Sequence, residues 1–367
     1  MWLCVVRQQR LLNGNSAIMK NIIMCCSTLN TKGGMVSVTK NYLNCKNWGD
    51  YCIVFRPTHF DTNKWIVMLY FGIQFLKIWW TVLVKKINIA HLHTAERGSF
   101  WRKSFLLNFF HRHGIKVILH HHSAEFDDFY LKSSKKQKER ICKSLADADV
   151  NIVLSERLVS MIKDKAPNAK VDVLYNAVQT FATNPYNVNA KGILFLGRLG
   201  KRKGIFDLLD AIKLLDEKIP KYIKFYLCGD GEIDKVKKKI ASLDIAHRIA
   251  HLGWIDGIEK ESILKNIMIN VLPSYNEGLP MTILETMARG IPNISTRIAS
   301  IPEVIKNTEN GCLIDPGDVE SLATAIETLV NDSALRKKFS KASYELVTNN
   351  FSLNSHIKKL KRIYESL

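Results

Sequence analysis

Residues 271–292 read VLPSYNEGLPMTILETMARGIP, and this stretch decides the fold of the chain around it. An apolar run ends in a polar turn, and apolar residues then recur at helical spacing. Pro280 suits the first position of that helix, and Gly290 suits its end. A strand, a turn and a helix in this order form the repeating unit of a parallel α/β sheet.

The same stretch carries two glutamates, Glu277 in the turn and Glu285 in the first turns of the helix. Backbone amides at a helix start attract phosphate, and we expect those of Gly278, Leu279 and Met281 to do so. Carboxylates beside a phosphate accept hydrogen bonds from hydroxyls. The pattern therefore favours a ligand such as a nucleotide sugar, whereas Glu285 alone is equally typical of a solvated surface helix.

Size and composition are those of a soluble globular protein with room for two domains. The chain has 367 residues, of which 47% are hydrophobic and 24% charged. Its eight cysteines form no C-x-x-C pair, and several, such as Cys228, lie in apolar runs. This pattern indicates buried thiols in a reducing compartment rather than a disulfide framework or a zinc site.

The net charge of +19 is concentrated in the first half of the chain. Residues 1–175 hold 26 Lys and Arg against 12 Asp and Glu, giving +14, whereas the remainder holds 27 against 22, giving +5. Such a basic half suits an anionic membrane surface or a phosphorylated substrate. We expect no nucleic-acid partner, because no nucleic-acid-binding motif accompanies the charge.

Short apolar runs alternate with helical patterns along the whole chain after Met19, which predicts an α/β fold with two doubly wound Rossmann-like domains facing across a cleft. The predicted strands are 21–26, 51–55, 87–92, 115–121, 150–154, 171–175, 192–196, 223–228, 249–252, 268–272 and 293–295. The predicted organisation is an unstructured extension 1–18, a first domain 19–175, a linker 176–190, a second domain 191–350 and a C-terminal helix 351–367 that could cross back to the first domain.

Residues 65–84 form an unusually apolar helix, with sixteen apolar residues of twenty. Its polar positions, together with the residue that follows, fall on one narrow stripe: Gln74, Lys77, Thr81 and Lys85. A buried domain helix is the favoured interpretation. A helix lying in a membrane interface is the alternative, supported by tryptophans and lysines at its C-terminal end. A spanning helix would interrupt the β-α order.

Two glycine-containing turns follow predicted strands of the second domain. Residues 197–204 read GRLGKRKG, in which Arg198 can grip a diphosphate bidentately and Lys203 adds a point charge. Both cations would stabilise a departing diphosphate. Gly229 and Gly231 permit close backbone approach to a ligand. A basic surface loop is the alternative for residues 197–204.

Taken together, these motifs resemble the retaining family 4 glycosyltransferases (glycosyl transferases group 1, GT-B architecture) from Met19 to the end of the chain. The resemblance implies an acceptor domain at 19–175 and a nucleotide-sugar domain at 191–350. It assigns sugar hydroxyls to Glu277 and the ribose to Glu285. It also implies a donor diphosphate on Arg198 and Lys203 and a donor near Gly278, Leu279, Pro280 and Met281, where the proline offers no N–H.

The first half carries the same resemblance. Gly33 and Gly34 match the family's glycine loop below the donor, and Asn176 matches an Asn-Gly near the linker, although Ala177 departs from it. The segment ILHHHSAEF at 118–126 looks like the family pattern L-H-G-A-E-F, with serine in place of glycine. On that alignment His122 is the active-site histidine.

Four histidines also share strand faces in pairs: His91 with His93, and His120 with His122. A zinc site is the alternative to packing, but the spacing shows no third ligand. The family resemblance implies that no metal and no cofactor are required.

The implied activity is that of a retaining glycosyltransferase of the hexosyltransferase type (EC 2.4). It would move a sugar from a nucleoside diphosphate sugar to an acceptor hydroxyl, on a lipid-linked saccharide in cell-surface polysaccharide biosynthesis. The expected location is cytoplasmic, peripheral on the inner face of the cytoplasmic membrane, with the oligomeric state left open. The alternatives are a non-catalytic nucleotide-sugar-binding scaffold and a sugar-nucleotide epimerase of the same fold.

Overall fold

A computed structural model describes residues 19–31, 33–123 and 125–367. The predicted extension 1–18 lies outside the described residues. The chain forms two compact units. The first unit runs to Asn176 and also includes Asn354–Leu367, and the second unit is Ala177–Leu353.

The first unit is built on a six-stranded parallel sheet with the order β2-β1-β3-β4-β5-β6. Its elements are β1 Lys20–Cys26, α1 Gly34–Asn44, β2 Tyr51–Pro57, α2 Lys64–Val84, β3 Ile87–Thr94, α3 Gly98–Arg112, β4 Lys116–His121, α4 Phe126–Leu131, α5 Lys135–Asp147, β5 Val150–Val153, α6 Val159–Lys163 and β6 Val171–Val173.

The second unit is built on another six-stranded parallel sheet, with the order β12-β11-β10-β7-β8-β9. Its elements are β7 Gly192–Leu196, α7 Ile205–Leu215, β8 Lys224–Cys228, α8 Ile233–Leu243, β9 Ile249–Gly253, α9 Gly257–Leu264, β10 Ile267–Leu272, α10 Met281–Met287, β11 Asn293–Thr296, α11 Ile301–Val304, β12 Gly311–Ile314, α12 Val319–Asn331 and α13 Ser333–Asn350. The last helix, α14 Leu353–Glu365, packs with the first unit.

Each sheet has one point where the chain reverses its direction of winding. In the second unit β7 has β8 on one side and β10 on the other, and in the first unit β1 lies between β2 and β3. At such a point the loops that follow two neighbouring strands run to opposite faces of the sheet. They leave a crevice between them, which is where open α/β sheets bind ligands. The loops after β7 and β10, and those after β1 and β3, therefore occupy the positions expected for binding.

The two doubly wound α/β sheets confirm the predicted fold class. All eleven predicted strands are present, and β10 is buried along its whole length, as expected for a strand covered on both faces. The sequence patterns missed β12, a strand of four residues that is defined by its pairing with β11. On α10 the side chains of Met281, Leu284 and Met287 are buried, as their spacing predicts.

The favoured interpretation of α2 as a buried helix is wrong. Of its 21 residues only Gln74, Ile78 and Thr81 are buried, so two residues of the polar stripe face inward, whereas Lys77 is exposed. The guanidinium of Arg56, on β2, donates to the Thr81 hydroxyl from Nη2 at 2.9 Å and from Nε at 3.1 Å. The large apolar residues of α2 that face solvent are Trp65, Ile66, Met68, Leu69, Ile73, Leu76, Trp79, Trp80, Leu83 and Val84.

By length and apolar composition alone, α2 could cross a bilayer, and it is the one such helix in the described part of the chain. Its two ends, however, connect β2 and β3, which both pair with β1 in one sheet. This connection favours a helix that lies along the surface of the first unit.

Candidate active site

In the second unit, the loops that follow β7, β8 and β10 contact one another at the carboxyl edge of the sheet. The Leu199 amide donates to the Asp230 carbonyl at 2.6 Å, and the Glu232 amide donates to the Leu199 carbonyl at 2.7 Å. The Tyr275 amide donates to the Arg202 carbonyl at 2.9 Å. The predicted motifs at residues 197–204 and 229–231 and around Glu277 therefore form one connected surface.

Glycine is required at two of these contacts. Gly204 has φ +71°, and a Cβ there would lie 1.9 Å from the Pro273 carbonyl oxygen. Gly229 has φ +156°, and its Cβ would lie 1.8 Å from the Gly197 carbonyl oxygen. Both positions combine a backbone conformation that disfavours side chains with an approach no side chain permits. Gly231, at φ +124°, is similarly close to Leu199.

Lys203 and Glu277 form a buried ion pair in which the ammonium contacts Glu277 Oε1 directly. Their side chains are 16% and 7% exposed. The Ser274 hydroxyl donates to the same carboxylate oxygen at 2.8 Å. Burial lowers the pKa of Lys203, because loss of water around the ammonium outweighs its attraction to Glu277. The sequence patterns assigned Lys203 and Glu277 to separate groups of binding residues, whereas in the structure the two side chains contact each other.

Arg198 is exposed on the loop after β7 and has no carboxylate partner at ion-pair distance among the described residues. Its Cγ lies 3.1 Å from the point where a Cβ on Gly231 would sit. The guanidinium is thus available to an anion at the edge where Lys203 is already held. An always-charged, planar fork suits bidentate contact with phosphate oxygens.

Glu285 lies on α10 and pairs with Lys260 of α9, whose Nζ is 2.6 Å from Oε2. Pro280 caps α10 and Met281 is its first residue, one position later than the sequence predicts. The Thr282 hydroxyl donates to the Leu196 carbonyl at 3.0 Å and so ties α10 to β7. The preceding residues, Gly278 and Leu279, lie between Glu277 and this helix.

Two residues at this edge were not identified from the sequence. Ser274 has a usable signal, because it stands three residues before Glu277 in the same turn. Lys260 has none, because it lies 25 positions before Glu285 on a different helix.

In the first unit, the predicted site residues lie in the loops that follow β1 and β4 and at Asn176, where the first segment of the unit ends. Gly33 has φ +135° and precedes α1, which begins at Gly34. Asn176 is buried at the last position before the second unit begins. His122 follows β4, half-buried, with its amide donating to the Thr94 carbonyl at 2.9 Å.

Ser123, which stands in place of the family's glycine, links the segment after β4 to the segment after β3. Its hydroxyl donates to the Glu96 carboxylate and accepts a hydrogen bond from the Glu125 amide at 3.0 Å. Its backbone is not in the left-handed region, so glycine is not needed here for conformational reasons. The serine therefore positions the His122 segment through side-chain contacts.

His122 is the end of a network of buried histidines. Its Nε2 is hydrogen-bonded to His93 Nδ1 at 2.8 Å. His91 is bonded through Nε2 to His120 Nδ1 at 3.0 Å and through Nδ1 to the Tyr364 hydroxyl at 2.7 Å. Burial, reinforced by neighbouring histidines, lowers the pKa values of His91 and His122 to about 3. The rings are therefore neutral at pH 7, and each offers one donor and one acceptor.

The network also brings together a third potential metal ligand that the sequence spacing did not show. His91, His93 and His120 each offer a ring nitrogen, and these atoms lie within 4.8 Å of one another. Both ring nitrogens of His91 are already hydrogen-bonded, so a metal would have to replace one of those bonds. The geometry favours a hydrogen-bonded network, and independence from metal remains a prediction.

Several known proteins are similar to this chain in sequence or in fold. Residues 179–346 match the family model described as Glycosyl transferases group 1. The Escherichia coli UDP-Gal:alpha-D-GlcNAc-diphosphoundecaprenol alpha-1,3-galactosyltransferase is 31% identical over 310 residues, covering 76% of both chains. Rhizobium meliloti LpsE, a lipopolysaccharide core biosynthesis glycosyltransferase, is 32% identical over 165 residues, which is 45% of this chain and 46% of that relative, so the match spans about half its length.

Among solved structures, Anabaena Alr3699/HepE in complex with UDP superposes with a TM-score of 0.73 at 15% identity, over 95% of this chain and 100% of that one. At that identity the likeness concerns the fold, which is the two-sheet architecture of the GT-B glycosyltransferases. The extent and identity of the sequence matches are more specific. The chain belongs to the group 1 glycosyltransferases.

Proposed function

We propose that this protein is a retaining, hexosyltransferase-type glycosyltransferase. It moves a sugar from a nucleoside diphosphate sugar to a hydroxyl of a lipid-linked saccharide in cell-surface polysaccharide biosynthesis. The observation that carries the proposal is the buried Lys203–Glu277 pair at the winding reversal of the second sheet, with Arg198 exposed on the same loop as Lys203. The E. coli relative named above acts on a diphosphoundecaprenol-linked sugar, which supports the acceptor class.

On this proposal the second unit binds the donor. Arg198 and Lys203 bind the diphosphate, and Glu277, oriented by Lys203 and Ser274, accepts hydrogen bonds from sugar hydroxyls. Glu285 binds the ribose while it remains paired with Lys260. Gly229 and Gly231 let the backbone approach the nucleotide, and residues 278–281 line the sugar and phosphate.

The chemistry follows from charge. As the sugar leaves, negative charge grows on the diphosphate, and Arg198 and Lys203 stabilise it without a metal ion or other cofactor. The departing phosphate oxygen takes the proton of the acceptor hydroxyl, which attacks from the same face, so the anomeric configuration is retained. His122, neutral and held by His93, supplies a hydrogen bond to the reacting sugar.

The test is release of nucleoside diphosphate from a panel of donors, with lipid-linked saccharides as acceptors. Glu277→Ala is expected to lose at least a hundredfold in turnover, in the range seen for lost transition-state stabilisation. Glu309→Ala, an exposed glutamate of the same unit, is the matched control. Full turnover by Glu277→Ala would contradict the site assignment.

The same assay separates the alternatives. A sugar-nucleotide epimerase would isomerise the donor without an acceptor. A non-catalytic scaffold would bind the donor, seen as a rise in melting temperature, and release nothing with any acceptor. Either result would replace the transferase proposal.

We further propose that the protein is cytoplasmic and attaches peripherally to the inner face of the cytoplasmic membrane through the exposed face of α2. That face is apolar, and α2 contains no Asp or Glu, whereas its lysines are Lys64 and Lys77, with Lys85 and Lys86 following. Trp65 is the second residue of the helix, and Trp79 and Trp80 lie near its end, as in interfacial helices. An anionic leaflet matches both the charge and the apolar surface.

Vesicle co-sedimentation tests this attachment. Leu69 is 69% exposed, so Leu69→Glu leaves the core intact and should weaken binding to phosphatidylglycerol vesicles at least tenfold, because burying a leucine contributes about 1.5–3 kcal/mol. Ile258→Glu, at an 83% exposed position of the second unit, is the control. If Leu69→Glu instead converts a dimer to a monomer and leaves vesicle binding unchanged, α2 is an interface between copies.

A further inference from the structure

Three basic side chains lie within electrostatic range of one another near the carboxyl ends of β1 and β2, and none of them belongs to the histidine network. Lys103 of α3 is fully buried, and its Nζ donates to the Thr58 hydroxyl at 2.7 Å. That hydroxyl donates in turn to the Cys26 carbonyl, the last residue of β1, at 2.8 Å. Arg102 and His59 are the sequence neighbours of Lys103 and Thr58. The cluster therefore lies beside the winding reversal of the first sheet.

No carboxylate balances this cluster. The buried Arg102 Nε and His59 Nδ1 have no hydrogen-bond partner, and neither Arg102 nor Lys103 has an ion-pair partner among the described residues. Burial lowers the pKa of Lys103 to about 8. Burial and the two cations lower the pKa of His59 to about 3. The nearby Cys25 thiol is neutral, since burial raises its pKa to about 12.

A buried positive charge with unused donors is costly unless an anion is bound there. Two cations and a histidine within electrostatic range of one another suit an anion with several acceptor oxygens. A phosphate has this chemistry, and an arginine binds it bidentately. Arg102, which is partly exposed, and His59 would touch the anion, whereas Lys103 beneath them supplies charge.

The cluster adjoins the apolar face of α2. Arg102 and Phe105 lie three residues apart on one side of α3. Phe105 is 50% exposed, and its ring packs edge-on against Phe71 and Phe75 of α2 at centroid distances of 6.0 and 5.1 Å. An anion held by Arg102 would therefore sit next to the surface assigned above to the membrane.

We propose that His59, Arg102 and Lys103 form a binding site for the phosphate or diphosphate of a lipid, which is the group that links the acceptor saccharide to its lipid chain. This rests on the proposed function, because it names the part of the acceptor that the first unit recognises. The apolar chain lies along α2 and Phe105, and the phosphate lies at the edge of the sheet.

The experiment compares binding of the full chain to phosphatidylcholine vesicles with and without phosphatidic acid, which presents a phosphomonoester. Phosphatidic acid should raise the affinity of the wild-type protein for vesicles. In Arg102→Gln this increase in affinity should be roughly ten- to a hundredfold smaller, as expected for loss of a charged hydrogen bond. Arg112→Gln, which removes the same charge from the exposed end of the same helix, should keep that gain. Equal losses in both variants, or no loss in Arg102→Gln, would overturn the site.

Two further measurements complete the test. Inorganic pyrophosphate should bind more weakly to Arg102→Gln than to the wild-type protein. Both proteins have the same donor-site residues in the second unit, so a difference in affinity reports on the site at Arg102. If pyrophosphate binding falls while phosphatidic acid binding does not, the ligand is a soluble phosphate compound and the lipid assignment is wrong. Lys103→Met fills the buried space without charge and should weaken both ligands. Thermal melts confirm folding, and Arg102→Gln, at a partly exposed position, carries the test if Lys103→Met unfolds.

These outcomes stay separate from failure of the transferase proposal. If no donor and acceptor pair yields nucleoside diphosphate, the vesicle and pyrophosphate titrations still report on the phosphate site. If transfer proceeds and Arg102→Gln leaves the KM for a lipid-linked acceptor unchanged, the transferase proposal stands and the phosphate site is refuted.

Discussion

Replacing Lys203 by methionine tests how the buried ion pair contributes to folding. The Glu277 carboxylate, 7% exposed, would keep only the Ser274 hydroxyl as a partner among the residues that the structure describes. Removing one member of a buried pair costs about 3–5 kcal/mol, because the other charge stays buried and unpaired. Lys203→Met should therefore lower the free energy of unfolding by that amount.

The double variant Lys203→Met with Glu277→Gln separates this cost from the value of the pair itself. Its neutral amide still accepts from Ser274, and no unpaired charge is buried. The lowered pKa of Lys203 indicates that burial disfavours its charged form, so the pair is not a strong net stabiliser. Replacing a buried ion pair by neutral groups is often close to neutral. We expect the double variant to recover most of the loss, within about 2 kcal/mol of wild type.

Urea unfolding followed by circular dichroism measures these free energies, and nucleoside diphosphate release measures turnover. Turnover should fall by roughly a hundred- to a thousandfold in the single variant and should not recover in the double variant, because the diphosphate still lacks one of its two cations. If the double variant is as unstable as the sum of its single changes, the two side chains are not coupled and the argument from their contact is refuted.

Three more predictions follow from the structure. Gly229→Ala should destabilise the second unit by more than 2 kcal/mol, whereas Gly197→Ala, whose Cβ would have its nearest neighbour at 3.7 Å, should change stability by less than about 1 kcal/mol; urea unfolding of both checks this. Between about pH 3 and pH 6.5 the buried histidines stay neutral in the folded protein but bind protons when it unfolds. Their contribution to the free energy of unfolding is therefore fully present above about pH 6.5 and is lost as the pH drops toward 3. One such residue, for instance His91, costs about 2 kcal/mol at pH 5, and a melting temperature that is flat from pH 7 to 5 would contradict this. Treatment with a chelator should leave turnover unchanged, and loss of activity restored by a divalent ion would refute independence from metal.

The strands and the ligand-facing turns could be predicted from the sequence because their signals are local. Apolar runs, helical spacing and the glycines at 204 and 229 depend on backbone sterics and on which face is buried, and both act over a few residues. Helix α2 shows the limit of that reasoning. Its polar stripe was recognised, but the rule that apolar residues face inward did not predict that Gln74 and Thr81 are buried. The inward position of Thr81 depends on Arg56, 25 residues away on a neighbouring strand.

By itself the sequence determined every described strand except β12, which loops carry the glycines and charges, and that the first half is basic. Only the tertiary structure decided which side chains meet. Lys203 and Glu277 are 74 positions apart, and His91 meets Tyr364 across 273 positions. Such contacts depend on the order and register of the strands and on the return of α14 to the first unit, and no local pattern encodes these. The exposed face of α2 and the unbalanced cations near Lys103 became visible only once that packing was known.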